Sequence, residues 1–146
     1  MAITSAICNS FKQEILEAEH NFTASTGNTF NLALYTSSAT LGASTTAYTS
    51  SNEITNSSGT AYSAKGKALT SVTPTLDSST AVCDFADVSW TSASFTANGC
   101  LIFNDSHSTD AAVCAIAFGG DKTVSSATFT IQFPAAAATT AIIRIA

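Results

Sequence analysis

The sequence predicts a mainly β protein: an antiparallel β-sandwich or jelly-roll-like barrel of about seven or eight strands with one N-terminal amphipathic helix. Three observations carry this. Short segments with apolar residues at every second position recur from Phe30 to the C-terminus, the period of a half-buried strand. Clusters of Gly, Asn, Asp, Ser and Pro separate them and punctuate the chain as turns. Helical spacing is confined to the N-terminal segment, so no strand–helix–strand alternation supports a parallel sheet. The 146 residues fit a single β-rich domain, 1–146. A chain of that size buries about 68–70% of its unfolded surface and needs neither metal nor disulfide to fold.

Taken in order, residues from about 4 to 20 form the expected helix. Ile3, Ile7, Cys8, Phe11, Ile15, Ala18 and Phe22 fall on one arc at 100° per residue, and Thr4 or Ser5 supplies the cap. Glu14, Glu17 and Glu19 crowd its C-terminal half, where the helix dipole disfavours negative charge. Tertiary packing must therefore hold it, with the helix laid on a face or edge of the sheet. His20 is expected at its solvated end. Phe30, Leu32 and Leu34 then alternate with Asn31, Ala33 and Tyr35 as a strand. Residues from about 36 to 63 are a long polar loop, with Tyr48 and Tyr62 but no apolar period. Loops of that length carry function or are ordered by a partner.

Lys67–Val72 and Ala81–Phe85 read as short strands, and Val88-Ser89-Trp90 as another alternating piece. Ser92–Phe103 is the strongest strand signal. Asn98-Gly99 within it allows a hairpin turn, but short flanking halves favour a glycine bulge or close approach in one long strand. Asn104–Asp110 is a polar turn, followed by a strand from Val113 to Phe118 that ends at Gly119-Gly120-Asp121-Lys122. Thr128–Phe133 and Ala141–Ile145 are the last strands.

Charged residues make up only 10% of the chain, against about 25% in an average domain, while Ser and Thr account for about 30%. Such a surface sheds little charge hydration on docking and gives a free monomer little repulsive protection. The net charge is −5, and the five basic residues, Lys12, Lys65, Lys67, Lys122 and Arg144, form no stripe. That excludes a nucleic-acid binder, which needs several cations along one surface. No apolar run has the length of a membrane span. The N-terminus lacks the charged start and apolar core of a secretory signal. Cys8, Cys83, Cys100 and Cys114 contain no Cys-x-x-Cys pair, which argues against zinc. Set in apolar stretches, they read as buried free thiols rather than as a disulfide pair.

No catalytic constellation emerges. The bases available are His20 and His107. Asp105, His107 and Asp110 share one turn and offer carboxylate and imidazole ligands to a divalent ion. Their spacing matches no ligand motif, and a solvated hairpin tip explains them better. Nucleophile-elbow, zinc-helix and phosphate-loop motifs are absent. Gly119-Gly120-Asp121-Lys122 lacks the helix a phosphate cradle requires. Asp84 and Asp87 stand among apolar residues and make a poor acid pair. The expectation is a non-enzyme without cofactor or metal.

Several segments carry a resemblance. They are Ser10-Phe11-Lys12 with His20-Asn21-Phe22, Leu32-Ala33-Leu34-Tyr35-Thr36, Gly59-Thr60-Ala61-Tyr62, Phe85-Ala86-Asp87-Val88-Ser89-Trp90, Leu101-Ile102-Phe103-Asn104-Asp105, Phe118-Gly119-Gly120-Asp121-Lys122 and Phe129-Thr130-Ile131. In this order, over nearly the whole chain, they resemble a family of small virion structural proteins of tailed bacteriophages, aquatic phages in particular. The chain departs from that pattern at Ser63-Ala64-Lys65-Gly66, where more glycine is expected, and at Ala127, where glycine often stands.

The resemblance implies a structural component without an active site, located in the virion and assembled in the host cytoplasm. A small, self-contained, weakly charged chain without a repetitive stalk fits a capsid decoration or cement protein that binds the major capsid protein. A tail-associated or fibre component is the alternative. A carbohydrate-binding sandwich with Tyr35, Tyr48, Tyr62 and Trp90 as platforms is a third. Partners are the major capsid protein or neighbouring virion proteins, with the chain itself oligomeric or bound in lattice copies. The expected contact residues are Glu14, Glu17 and His20 near the helix end, with Tyr48 and Tyr62 from the long loop.

Overall fold

A computed structural model describes residues 2–146. The chain is mainly β, with two antiparallel sheets and one short helix near the N-terminus. Its elements are β1 (Ala6–Ile7), α1 (Asn9–Leu16), β2 (Phe30–Tyr35), β3 (Lys67–Ala68), β4 (Ser71–Asp77), β5 (Thr80–Phe85), β6 (Val88–Asn104), β7 (Ala111–Ile131) and β8 (Ile143–Ile145). The larger sheet has the order β1-β7-β6-β2-β3, and the smaller β4-β5-β8.

Strand β2 shows how the sequence builds the centre. Its alternation places Phe30 against Phe22 (4.2 Å between ring centroids) and against Phe85 of the smaller sheet (6.0 Å). Tyr35, at the other end, sends its hydroxyl to the Thr49 carbonyl (2.7 Å) in the long loop. The larger sheet is thus covered by the smaller sheet and by residues 36–66. Leu32, Leu34, Leu101, Ile102 and Phe103 are fully buried between these layers. At ~1.5–3 kcal/mol for each such side chain, this apolar burial is what offsets the ordering of the backbone.

Helix α1 is shorter than the apolar arc predicts. Ile3 bridges to Leu41, and Ile7 belongs to β1, paired with Cys114 of β7. Ile3 is buried and Ile7 partly so, but the partner of Ile3 is a residue of the long loop and that of Ile7 a strand. Cys8 caps the helix in an extended conformation without a side-chain bond. Ala18 takes a positive φ of 61° just after the end, and the helix stops at Leu16 with Glu14 in its last turn and Glu17 at its C-cap. The helix packs on β7, and Leu16 is left 87% exposed.

The strands read as Val88–Trp90 and Ser92–Phe103 are one, β6, with register irregularities between Trp90 and Phe95. The strand continues through Asn98-Gly99, as expected. A Cβ on Gly99 would stand 2.5 Å from the Ile116 carbonyl oxygen, so only glycine permits this approach. Gly119-Gly120 does not end a strand. Ala97 pairs with Lys122 and Gly99 with Ala117, so Phe118–Asp121 on β7 oppose Asn98 alone. Positive φ at Gly119 and Gly120 (74° and 143°) absorbs the excess as a bulge, and Asn98 Nδ2 donates to Asp121 Oδ1 (2.8 Å). Residues 111–131 therefore form one long strand.

All four cysteines are buried free thiols. Burial pushes Cys8 up to about 11 and Cys83 and Cys100 up to about 12; burial also raises Cys114 well above its ordinary value. Raised thiol values mean the fold holds the neutral form. Their contribution is complete below pH 9.0, the ordinary thiol value, and is lost as pH rises through about 11–12. A thiol reagent at neutral pH should label none of the four in the folded chain and all four in denaturant. Rapid labelling of any one in the native state would contradict this packing.

Candidate functional site

The polar side chains capable of chemistry gather in two groups, one around the 105–110 turn and one inside the long loop. The first surrounds the 105–110 turn. His20 lies against Phe11 (4.9 Å between ring centroids), and its side chain is fully shielded from solvent. Asn104, also buried, donates from Nδ2 towards His20 Nδ1 (3.1 Å). His20 Nε2 then donates to Glu14 Oε2 (2.8 Å), a relay that assigns the neutral Nε2–H form. With both ring nitrogens occupied and no opening to solvent, this imidazole has no lone pair for a substrate. The expected solvated histidine at a helix end is instead the internal tie between α1 and the tip of the β6–β7 hairpin. Its side chain is likewise closed to a partner.

His107 stacks on His20 at 6.3 Å and reaches Glu19 Oε2 at 3.5 Å through Nε2. Its Nδ1 is 3.0 Å from the Thr109 hydroxyl. Asp105 and Asp110 both face Lys65, whose Nζ lies 2.9 Å and 2.8 Å from their carboxylates. Hydrogen bonds to Asp110 and Asp105 raise the Lys65 ammonium above the usual lysine range. The tip is half-buried and pinned by this ammonium rather than freely solvated. No group of three metal-ligating side chains occurs among the described residues. Lys65 is held there by backbone geometry: Lys65 and Gly66 have φ of 67° and 68°, and a Cβ on Gly66 would collide with the Leu32 carbonyl at 1.8 Å.

The second group lies inside the long loop. Tyr48 donates to Glu53 Oε2 (2.5 Å) and Tyr62 to Glu53 Oε1 (2.7 Å). The Tyr62 hydroxyl oxygen in turn accepts the Leu34 N–H (2.8 Å), standing in for a main-chain acceptor at the edge of β2. Burial, then the bond to Glu53, pushes Tyr48 up to about 12. Burial drives Tyr62 and Tyr35 higher still. Tyr62 is 1% exposed and stacks at 6.0 Å on Trp90, itself 1% exposed. Tyr62 is therefore a strut rather than a contact residue, and Tyr35, Tyr62 and Trp90 offer no platform to a sugar ring. Tyr48 is partly buried beneath Lys65. Of the expected contact residues, Glu17 is exposed and Glu14 half-buried on α1. Glu53, which joins two of these tyrosines, carries no sequence signal: spacings of five and nine residues within a polar loop match no motif.

Asp84 and Asp87 do not form an acid pair. Asp84 accepts the Phe85 N–H (2.8 Å) and Asp87 the Phe133 N–H (2.9 Å). No helix among the described residues is long and apolar enough to cross a membrane. In comparisons with known proteins, the chain matches no family model, no curated protein and no solved structure.

Proposed function

We propose that this chain is a structural component of a tailed-phage virion, a capsid decoration protein that binds the major capsid protein and stabilises the shell. The observation that carries the reading is where the reactive side chains go. His20, Lys65, Glu53 and the buried tyrosines are tied to one another as internal fasteners. What remains outside is largely hydroxyl and methyl: between Thr123 and Ile143, twenty-one consecutive residues carry no charge. Such a surface docks with little desolvation cost. A fold locked by interior polar ties suits a part that must hold its shape on a lattice. The resemblance to small virion proteins points the same way. The reading includes no catalytic step, cofactor or metal, and no nucleic-acid or membrane partner.

Copy number in purified particles, by quantitative mass spectrometry, tests it. Decoration predicts hundreds of copies per particle, removed together with the capsid shell. Copies in small multiples of three or six would move the chain to the tail. Absence from purified particles would end the virion reading.

A further inference from the structure

We propose that the outer edge of β7, from Ala127 to Ile131, is a self-association site where a second copy of this chain pairs antiparallel across a two-fold axis. Strand β1 covers β7 only at Cys114 and Ala115, and the Ser5 hydroxyl takes the Ala117 N–H (2.9 Å). Beyond Ala117, no strand among the described residues pairs with that outer edge. Unpaired main-chain donors and acceptors in extended conformation bind another extended strand.

The other edges are blunted in the usual ways. Strand β3 has two residues, one of them Lys67. Strand β8 has three, including Arg144. Strand β4 carries Pro74 inside a register irregularity and ends at Asp77. Strand β7 has bulges at Gly119-Gly120 and near Ser126, but Ala127–Ile131 pairs regularly with Val88–Ala93 on its inner side apart from one irregularity. Its sequence, Ala-Thr-Phe-Thr-Ile, is β-prone and uncharged, the composition of an edge that pairs.

Self-complementarity selects a second copy as the occupant, and the local charge permits it. Two chains of net charge −5 repel over most approaches, but Thr123–Ile143 brings no charge into contact. Lys122 precedes this run and holds no carboxylate among the described residues. A two-fold axis within Ala127–Ile131 sets the two Lys122 side chains at opposite ends of the joined strands, so they do not oppose each other. Identical strands also satisfy both free edges at once, which closes the assembly as a dimer. Beside the edge lies an open, mainly apolar groove of about 470 Å3, lined by Phe118, Phe129, Ile131, Phe133 and Ile142 and by Lys122. It is positioned to take apolar side chains from the partner strand. This inference does not rest on the virion reading.

Sedimentation equilibrium of the full chain tests it. The wild type should approach twice its 14.9 kDa mass with rising concentration. Thr128→Lys places a charge on an exposed position of the edge and should weaken association at least about tenfold, with an unchanged circular dichroism spectrum. Thr75→Lys, on β4, controls for charge alone and should associate like the wild type. Hydrogen exchange of the wild type should slow across 127–131 as the dimer forms, a readout that needs no variant. A wild type that stays at one mass, a trimer, a dimer indifferent to Thr128→Lys, or protection gained elsewhere would each overturn the proposal.

Discussion

Replacing Trp90 with alanine is expected to cost about 3–5 kcal/mol of folding stability, the largest effect of any single truncation of this chain. Trp90 is the point where three parts of the fold meet. It stacks on Tyr62 of the long loop at 6.0 Å and meets Phe95 of β6 at 6.4 Å and Phe129 of β7 at 6.2 Å. Lys67 lies over its ring, 5.6 Å from the centroid, and is bonded to the Ser89 carbonyl. Alanine there leaves a cavity walled by rings that the long hairpin holds in place, so collapse recovers little. A loss of that size lowers the melting temperature by on the order of 10 °C in a domain of this length. Trp90→Phe is the informative control, because the indole N–H is buried without a hydrogen-bond partner. Phenylalanine keeps most of the stacking and removes that unpaired donor, so it should cost less than half as much. Thermal and chemical denaturation of both variants measure the difference. Equal losses would show that the stacking geometry contributes little.

Much of the fold was legible because it depends on local alternation. Phe30–Tyr35, Thr80–Phe85 and the core of β6 show their burial in the spacing of their apolar residues. Elements that depend on distant partners are not legible in this way. Ile3 and Ile7 have helical spacing with Phe11, yet Ile3 bridges to Leu41 in the long loop and Ile7 pairs with β7, both distant in sequence. Gly119-Gly120 has the composition of a turn, and the local geometry is turn-like. Whether the chain then reverses or resumes its strand is decided by Asn98 and Thr96 on β6, which no local window contains. The long loop has no period because its backbone is satisfied piecemeal. Thr4, Asn9 and Ala112 donate N–H groups to the carbonyls of Leu41, Ala43 and Thr46, and Tyr48 donates to Asp110. The polar ties were the least legible part. His20 and Asn104 stand 84 positions apart, and nothing in either neighbourhood announces the other. The residue types are visible in the sequence but their burial is not, because a histidine after an acidic helix and tyrosines in a polar loop ordinarily face solvent.

Glu53 gives the sharpest test of how that loop is held. Its carboxylate accepts from two tyrosine hydroxyls, and Ile54 next to it donates its N–H to the Leu34 carbonyl (2.9 Å). Glu53→Ala removes both acceptors. Tyr48 is partly exposed and can turn to water, but the Tyr62 hydroxyl is buried and keeps only its bond from Leu34. One stranded buried donor plus one lost charge-assisted bond amounts to about 2–4 kcal/mol. Glu53→Gln keeps an amide oxygen for one hydroxyl and should lose less than Glu53→Ala. The decisive measurement is the double-mutant cycle with Tyr62→Phe, which takes away the donor that Glu53→Ala would strand. In the Tyr62→Phe background, Glu53→Ala should cost about 1–3 kcal/mol less than in the wild type, a coupling typical of groups sharing one network. Additive losses would mean that the carboxylate does not hold Tyr62. The loop would then be ordered by its backbone bonds and by the Tyr62–Trp90 stack alone.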